Sequence, residues 1–173
     1  MLFYLYTYKK VHNFMVGKLQ EELKQSKPFV NLESEAYINL LILVQQLTDG
    51  VCLLLKSTAL SMPQYNVLRI LRGAGKTGRS CSEVADRMIH RVPDVTRLLD
   101  RLESRGLVVR QREARDRRIV RCWITDAGIH LIAPLDAPMA KLHQDMLGHL
   151  GEEKLLQFIQ LAEEARTGAK NES

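Results

Sequence analysis

Over most of the chain, apolar residues recur at intervals of three and four, the spacing of an α-helix with one buried face. The longest such segment extends from Ser34 to Ala59 and is built on Leu40, Val44, Leu47, Val51 and Leu54. At 1.5 Å per residue, this helix would measure about 40 Å. A domain of about 100 residues has a radius of gyration near 13 Å. We therefore expect the helix to protrude or to be shared with a second chain.

Three shorter helical segments follow, each with a start or stop signal. Ser61, followed by Pro63, fits an N-cap with proline in the first turn. Ser80 and Glu83 have capping-box spacing. The third segment begins at Pro93, ends at Gly106 and has an apolar face of Val95, Leu98, Leu99 and Leu102. Three short helices in succession, the last two closely joined, are typical of a helix-turn-helix.

The apolar spacing then becomes alternating. Residues 107–112 and 119–124 predict two strands, and the charged segment 113–118 between them predicts the turn of a β-hairpin. Thr125 then caps a helix that two prolines near its start should bend, and a last amphipathic helix follows. The pattern predicts a mainly α fold with a small β-hairpin.

Composition excludes several classes of protein. With 46% hydrophobic and 26% charged residues among 173, the chain is neither disordered nor fibrous. The longest unbroken aliphatic runs are five residues, at 40–44 and 51–55, short of the roughly 20 apolar residues of a membrane span, so we expect no membrane partner. Three cysteines without C-x-x-C spacing predict neither a disulfide framework nor a zinc site, and we expect a cytoplasmic protein.

Positive charge is concentrated in the middle of the chain. Between Ser61 and Ile124 there are 15 basic residues against 7 acidic ones, while the rest has 10 basic and 13 acidic. In this central segment 14 of the 15 are arginine, whose planar guanidinium suits phosphate and guanine. Pairing with carboxylates on a solvated face can neutralise at most seven of them. The excess favours a polyanion partner, with nucleic acid as the leading candidate.

Five sequence pieces identify a family. They are Leu60-Ser61-x-x-Gln64-x-x-Val67-Leu68; Glu83-Val84-Ala85; Val95-Thr96-Arg97-Leu98-Leu99-Asp100-Arg101-Leu102-Glu103-x-Arg105-Gly106-Leu107-Val108; Asp116-Arg117-Arg118; and Thr125-x-x-Gly128. In this order and spacing the chain resembles the MarR (multiple antibiotic resistance regulator) family of bacterial transcription factors. The resemblance runs from about Ser34 to Arg166.

The resemblance implies a homodimer in which each chain offers one winged helix-turn-helix. The first helix and the last two would interleave with those of the partner. We accordingly expect a winged helix-turn-helix DNA-binding domain at 61–125 and a helical dimerisation region at 34–60 and 126–167. Residues 1–33 would form an N-terminal extension, partly disordered.

The third short helix is the expected reader of DNA. Burial of its apolar face turns the other side toward the major groove, and the resemblance places residues matching Pro93, Asp94 and Arg97 there. Asp94 either caps the helix or accepts from a cytosine amino group. Arg101 either contacts DNA or pairs with Asp100 or Asp116. The full set expected to contact DNA is Arg79, Ser80, Arg91, Pro93, Asp94, Thr96, Arg97, Arg101, Arg115, Asp116, Arg117 and Arg118.

Within that set, the wing follows the family's Asp-x-Arg pattern. The resemblance implies that Asp116 braces the turn, or is a plain turn residue, and that Arg118 enters the minor groove. The two neighbouring arginines would contact phosphates. Arg79 and Ser80 could hold a phosphate near the N–H groups of a helix start. Arg91 departs from the family, which more often has a small hydroxyl residue there, and it could add a phosphate contact.

Control of the protein is less specified by the sequence. By family geometry alone, an organic effector would be lined by Gln45, Asp49, Tyr65 and Arg69. We expect Cys52 to be a buried small hydrophobe and Cys122 to pack in the wing strand. Cys81, at a helix start beside Arg79, is a weak redox candidate, as is Cys52.

The sequence thus predicts a dimeric transcriptional repressor that binds pseudo-palindromic double-stranded DNA and is released by a small organic effector. Two alternatives remain open: a thiol-based redox sensor of the same fold, and a winged-helix module for protein contacts without sequence-specific DNA binding. No phosphate loop, nucleophile elbow or H-E-x-x-H motif is present. We therefore expect no enzyme, no cofactor and no metal.

Overall fold

The first turn of the long helix is capped by a side chain just outside it. In a computed structural model, which describes residues 18–89, 94–113 and 117–168, the Asn31 side-chain oxygen accepts from the Ser34 N–H at 2.9 Å. This helix, α2 (Leu32–Leu55), continues into a 3₁₀ turn at Lys56–Thr58. It confirms the predicted helix, with its start two residues earlier. A short helix, α1 (Lys18–Glu22), precedes it.

Contacts divide the chain into two units, residues 1–49 and 50–173. In the first unit, α2 presents many large apolar side chains to solvent. These exposed residues are Leu32, Tyr37, Leu40, Leu41 and Val44. An apolar helix face at the surface of one chain is unfavourable in water. Covering these side chains would be favoured by the hydrophobic effect.

The segment Leu32–Thr58 is long and apolar enough to cross a membrane, judged by length and composition alone. The unbroken aliphatic runs, on which the expectation of no membrane span rested, therefore understate the apolar length of this segment. Gln45, Gln46 and Thr48 interrupt the runs without making the segment polar on average. A single such helix is weak evidence for a span, because helices from the core of soluble proteins pass the same test.

Three helices of the second unit begin with the predicted caps. Helix α3 (Met62–Ala74) begins with a capping box, in which the Gln64 side chain accepts from the Ser61 N–H at 3.0 Å and the Ser61 hydroxyl accepts in return. Helix α4 (Cys81–Arg87) begins with the Ser80–Glu83 box. Helix α5 (Val95–Ser104) begins after the N-cap Asp94. The local signals therefore confirm the predicted helix-turn-helix.

A three-stranded antiparallel sheet follows in the order β1-β3-β2. Strands β2 (Val108–Arg112) and β3 (Val120–Ile124) form the predicted hairpin, and β1 (Arg79–Ser80) adds a strand that the sequence pattern did not indicate. Gly78, just before β1, has φ +60°, and a Cβ there would lie 2.6 Å from Trp123 Nε1. Only glycine fits this approach.

The C-terminal helices are α6 (Asp126–Ile132), α7 (Asp136–Leu147) and α8 (Gly151–Gly168). Thr125 caps α6, as predicted, by accepting from the Gly128 N–H at 3.1 Å. The single bent helix expected around Pro134 and Pro138 is instead two helices separated by a 3₁₀ turn, Ala133–Leu135. Proline has no N–H to continue the α-helical hydrogen bonds.

One apolar cluster joins α3, α5 and the sheet. Its fully enclosed members, with no more than 1% of their surface exposed, are Leu55, Val67, Leu68, Leu71, Val84, Leu99, Leu102, Cys122 and Ile132. Because α5 contributes two leucines to this cluster, its opposite face must point away from the core. Core packing therefore decides which α5 residues meet solvent.

Two glycine substitutions should have opposite effects on stability. A Cβ at Gly128 would lie 2.5 Å from the Leu107 carbonyl oxygen, whereas one at Gly73, inside α3, meets nothing within 4 Å. We expect Gly128→Ala to lower the free energy of unfolding by about 1–3 kcal/mol through overpacking. Gly73→Ala should raise it by up to about 1 kcal/mol through helix propensity. Urea unfolding at one protein concentration measures both, and equal effects would contradict the packing at Gly128.

Candidate nucleic-acid interface

The outward face of α5 carries the predicted reading residues. Thr96, Arg97 and Arg101 are exposed, and the Arg97 side chain has 75% of its surface in solvent. Asp94 accepts from the Arg97 N–H at 2.9 Å, which confirms the first of its two alternatives, the helix cap, while a contact with cytosine stays a prediction. The Arg97 guanidinium lies 3.8 Å from the same carboxylate, an exposed pair that contributes little. Arg97 is therefore available to a ligand outside the chain.

A half-buried guanidinium connects α5 to the wing. Arg110, on β2, donates to the Glu103 carboxylate from Nε at 2.9 Å and pairs with Asp100 at 2.6 Å. The Arg110 backbone N–H also donates to Glu103, at 3.2 Å. The hydrogen bond from Arg110 is the largest cause that lowers the pKa of Glu103, and its counterpart raises the pKa of Arg110. This network fixes the wing relative to α5.

The same network bears on the alternatives for Arg101. The structure pairs Asp100 with Arg110, and Asp116, the other expected partner, lies outside the described residues. A DNA contact by Arg101 stays a prediction. Arg105, one turn further along, donates to the carbonyls of Ala59 and Thr58 at 2.9 and 3.0 Å. It holds the chain that leads into α3.

A second carboxylate cluster anchors β3 to the start of α4. Arg121 donates to Glu113 from Nε at 2.7 Å and lies 3.6 Å from Glu83. The backbone hydrogen bond from Ser80 is the largest cause that lowers the pKa of Glu83. Arg79 also lies 3.9 Å from Glu83. This end of α4 is therefore held by charges of the protein itself.

These contacts bear on the predicted phosphate site at the start of α4. The Ser80 and Glu83 N–H groups both donate within the capping box, at 2.8 and 3.2 Å. A phosphate contact by Arg79 and Ser80 stays a prediction. At the wing tip, Arg117 and Arg118 are exposed. Four predicted residues, Arg91, Pro93, Arg115 and Asp116, lie outside the described residues.

Two arginines of the central segment take up a large share of its carboxylates. Arg110 and Arg121 each pair with two carboxylates of the central segment. Arg72 instead pairs with Asp136, outside that segment, at 2.8 Å. The expectation that only the seven carboxylates of the central segment could neutralise its arginines was therefore too narrow. Within the segment, Arg110 and Arg121 together use four of the seven.

The residues expected to line an effector site form two pairs. The Gln45 amide donates to Asp49 at 2.7 Å on α2. The Arg69 guanidinium lies 5.9 Å above the ring of Tyr65 on α3, a cation–π distance. Their role in binding an effector stays a prediction. Among the described residues, no group of three or more His, Cys, Asp and Glu side chains could hold a metal ion.

The cysteines differ from expectation at one position. Cys52 is exposed, so the expectation of a buried small hydrophobe is wrong. Val51 and Leu54, on the same helix, pack on the core. Because successive helix positions point about 100° apart, Cys52 points away from the face that these two residues share. Cys122 is buried, as expected, and Cys81 is half-buried.

Sequence reasoning missed the Arg110 network and the contact between Cys81 and Cys122, whose sulfur atoms lie 3.9 Å apart. The i, i+3 spacing of Asp100 and Glu103 places both carboxylates on one helix side, which was a usable signal. No local signal links the two cysteines, because they are 41 residues apart.

Glu103→Gln should lower the free energy of unfolding at pH 7 by about 1 kcal/mol, since it removes a charge-assisted, partly exposed pair. The pKa of Glu103 is lowered in the folded chain. Its stabilisation is therefore complete above the ordinary glutamate pKa and is lost as pH falls through the folded value. Urea unfolding at several pH values should show wild type and variant converging in acid.

A matched control is Asp86→Asn, at an exposed position of α4, which should change stability by less than about 0.5 kcal/mol. A difference between wild type and Glu103→Gln that is constant with pH would contradict the ionic role of Glu103.

Comparison with known proteins agrees with this geometry. The MarR family model matches residues 60–120. The transcriptional regulator HosA of Escherichia coli O157:H7 is 30% identical over 102 residues, which span 59% of this chain and 74% of HosA. The transcriptional repressor MdtR of Bacillus subtilis is 29% identical over 143 residues, 80% of this chain and 91% of MdtR.

Solved structures show the same fold. A MarR transcription factor from Planctomyces limnophilus is 38% identical, with 79% of this chain and 98% of that chain covered and a TM-score of 0.61. A MarR-like regulator from Bacillus cereus, 18% identical, covers 79% of this chain and 96% of its own with a TM-score of 0.71. The exposed arginine face of α5, the braced wing and these relatives lead to one conclusion: the chain belongs to the MarR family of winged-helix, DNA-binding transcriptional regulators.

Proposed function

We propose that the protein is a homodimeric transcriptional repressor that binds a pseudo-palindromic DNA site and releases it when a small organic molecule binds. The observation that carries this proposal is the exposed Arg97 on an α5 helix braced to the wing by Arg110. A reading helix must keep its orientation when it enters the groove, and the ion pairs supply that constraint. MdtR, the relative matched over most of this chain, is described as a repressor.

In this proposal α5 lies in the major groove and the wing reaches the adjacent minor groove. Arg97 contacts a base edge or a phosphate, with Thr96 and Arg101 beside it. Arg118 enters the minor groove, where a narrow A·T-rich stretch attracts guanidinium. Arg115 and Arg117 contact phosphates, as do Arg79, Ser80 and Arg91. The structure of MepR from Staphylococcus aureus, 21% identical, is of a DNA complex.

Apolar helix faces support the proposed dimer. Helix α8 lies within the described part of the chain, and none of its side chains is buried. Its apolar residues Leu156, Ile159 and Leu161 are each more than half exposed. Helix α2 exposes a similar row. Covering both rows with a second copy would remove them from water. A dimer would also place two α5 helices on one duplex, which is the reason for a two-fold DNA site.

Release by an effector is the last part of the proposal. The DNA binding of BpsR from Bordetella bronchiseptica is described as regulated by 6-hydroxynicotinic acid, and PcaV from Streptomyces coelicolor was solved with its natural ligand. Both are under 25% identical to this chain. Gln45 with Asp49, and Tyr65 with Arg69, are the polar groups we propose for effector binding. The site of action would be the cytoplasm, and we propose no catalytic activity.

Selection of random duplexes by the purified protein tests the DNA-binding proposal. We expect enrichment of a pseudo-palindrome. Arg97→Ala should weaken binding about 10- to 100-fold and relax the preference at one position in each half-site. Arg118→Ala should weaken binding and lower the slope of log K against log salt by about one for each chain.

Arg166→Ala is the control, because Arg166 is exposed on α8 and lies outside the proposed DNA-binding surface. Its ion pair with Glu163 is long, at 4.0 Å, and exposed. It should leave binding unchanged. Equal losses in all three variants would indicate non-specific electrostatics. No enrichment at low salt would favour a winged helix used for protein contacts.

The dimer is tested by Ile159→Glu on α8. A carboxylate placed in an apolar interface should raise the dimer dissociation constant at least about tenfold. Sedimentation equilibrium measures the change. Gln157→Glu adds the same charge at an exposed polar position and should have little effect. A monomeric wild-type protein, or equal effects of the two variants, would contradict the proposed interface.

A further inference from the structure

Two thiols meet inside the DNA-binding domain. Cys81 is the first residue of α4, Cys122 lies on β3, and their sulfur atoms are 3.9 Å apart. We propose that Cys81 and Cys122 form a modification site for hydroperoxides, which convert the pair to an intrachain disulfide and weaken DNA binding. Only the effect on DNA rests on the proposed function. Formation of the disulfide does not.

Access to the pair is one-sided. Cys81 lines an open groove of about 290 Å³ together with Ser80, Ser82, Arg118, Ile119 and Val120. Cys122 has no exposed surface. A small oxidant can therefore reach the Cys81 sulfur from solvent, while the Cys122 sulfur is reached only through Cys81 or the core.

The protonation of Cys122 also indicates that Cys81 is the thiol that reacts with the oxidant. Burial, with the neighbouring Cys81 as a second cause, raises the pKa of the Cys122 thiol to about 12. Cys122 is thus protonated at neutral pH and unreactive toward peroxide, because the thiolate is the nucleophile. Cys81 is the attacking thiol. The fixed proximity of Cys122 then substitutes for a high thiolate fraction in the second step.

The reaction balances in two steps. The Cys81 sulfur attacks the terminal oxygen of the hydroperoxide, an S–O bond forms and the O–O bond breaks. The departing alkoxide (hydroxide, from hydrogen peroxide) takes the Cys81 thiol proton and leaves as an alcohol (or water), and Cys81 becomes a sulfenic acid. This step oxidises the sulfur by two electrons and reduces the peroxide. The Cys122 sulfur then attacks the Cys81 sulfur, and the S–O bond breaks. The departing hydroxide takes the Cys122 proton and leaves as water.

Closing the disulfide requires the two sulfur atoms to approach each other. A disulfide needs an S–S distance of about 2.05 Å, so the sulfur atoms must approach by almost 2 Å from their 3.9 Å separation. Cys122 is enclosed in the apolar cluster, and close-packed cores yield little. The approach therefore falls to Cys81, through rotation of its side chain and a shift of the start of α4 toward β3. This shift disturbs the Arg121–Glu83 contact that ties the wing strand to the helix-turn-helix.

Intact mass measures the modification directly. The experiment uses Cys52→Ser protein, which removes the exposed thiol and with it the simplest cross-link between chains. After hydrogen peroxide treatment we expect a mass loss of two hydrogens, a peptide that joins Cys81 to Cys122, and reversal by dithiothreitol. Cys81→Ser in the same background should lose no hydrogens. Because Cys81 is only half-buried at a helix start, serine should be tolerated there.

Three results would overturn the proposal: two free thiols that persist in peroxide, a gain of oxygen at Cys81 with Cys122 still free, or a disulfide between chains. Binding to the selected duplex tests the coupling. Oxidised Cys52→Ser protein should bind roughly tenfold more weakly than the reduced form, within the usual range of coupling between sites. The Cys81→Ser control should be insensitive to peroxide. A disulfide without loss of affinity would refute the coupling, whereas failure of the reduced protein to bind DNA would refute the proposed function.

Discussion

The Arg110 guanidinium lies between two carboxylates of α5, at 2.6 Å from both Asp100 and Glu103. The apolar cluster determines which face of α5 points outward, but van der Waals packing tolerates small rotations of a helix on its neighbours. A forked ion pair does not, because its hydrogen bonds are directional. The relative position of helix and wing therefore depends on the Arg110 ion pairs in addition to the apolar cluster.

Much of the fold follows from local signals. The starts of α3, α4 and α6 are predicted by Ser61, Ser80 and Thr125. In the structure, each of these side chains accepts a hydrogen bond from a backbone N–H. The hairpin was predictable because alternation over two five-residue strands is unlike any helical period. Strand β1 was not, since a two-residue strand has no period and forms only because β3 is beside it.

In the candidate site, too, some features follow from local sequence and others depend on contacts between distant elements. Exposure of Arg97 follows from the burial of Val95, Leu99 and Leu102 on the other side of its helix, so sequence spacing was sufficient. The partners of Arg110 and Arg121 depend on distances between elements that the sequence does not contain. Cys52 shows the limit of local reasoning, because apolar neighbours in sequence did not indicate which way its own helix position points.

The hydrogen bonds from Arg105 to the carbonyls of Thr58 and Ala59 have a mechanical consequence. They join the C-terminal end of α5 to the short connection that enters α3. A force that displaces this connection must either break both bonds or carry the end of α5 with it. Arg105 thus couples the two segments mechanically. A displacement of residues 58–59 becomes a tilt of the helix proposed to lie in the groove.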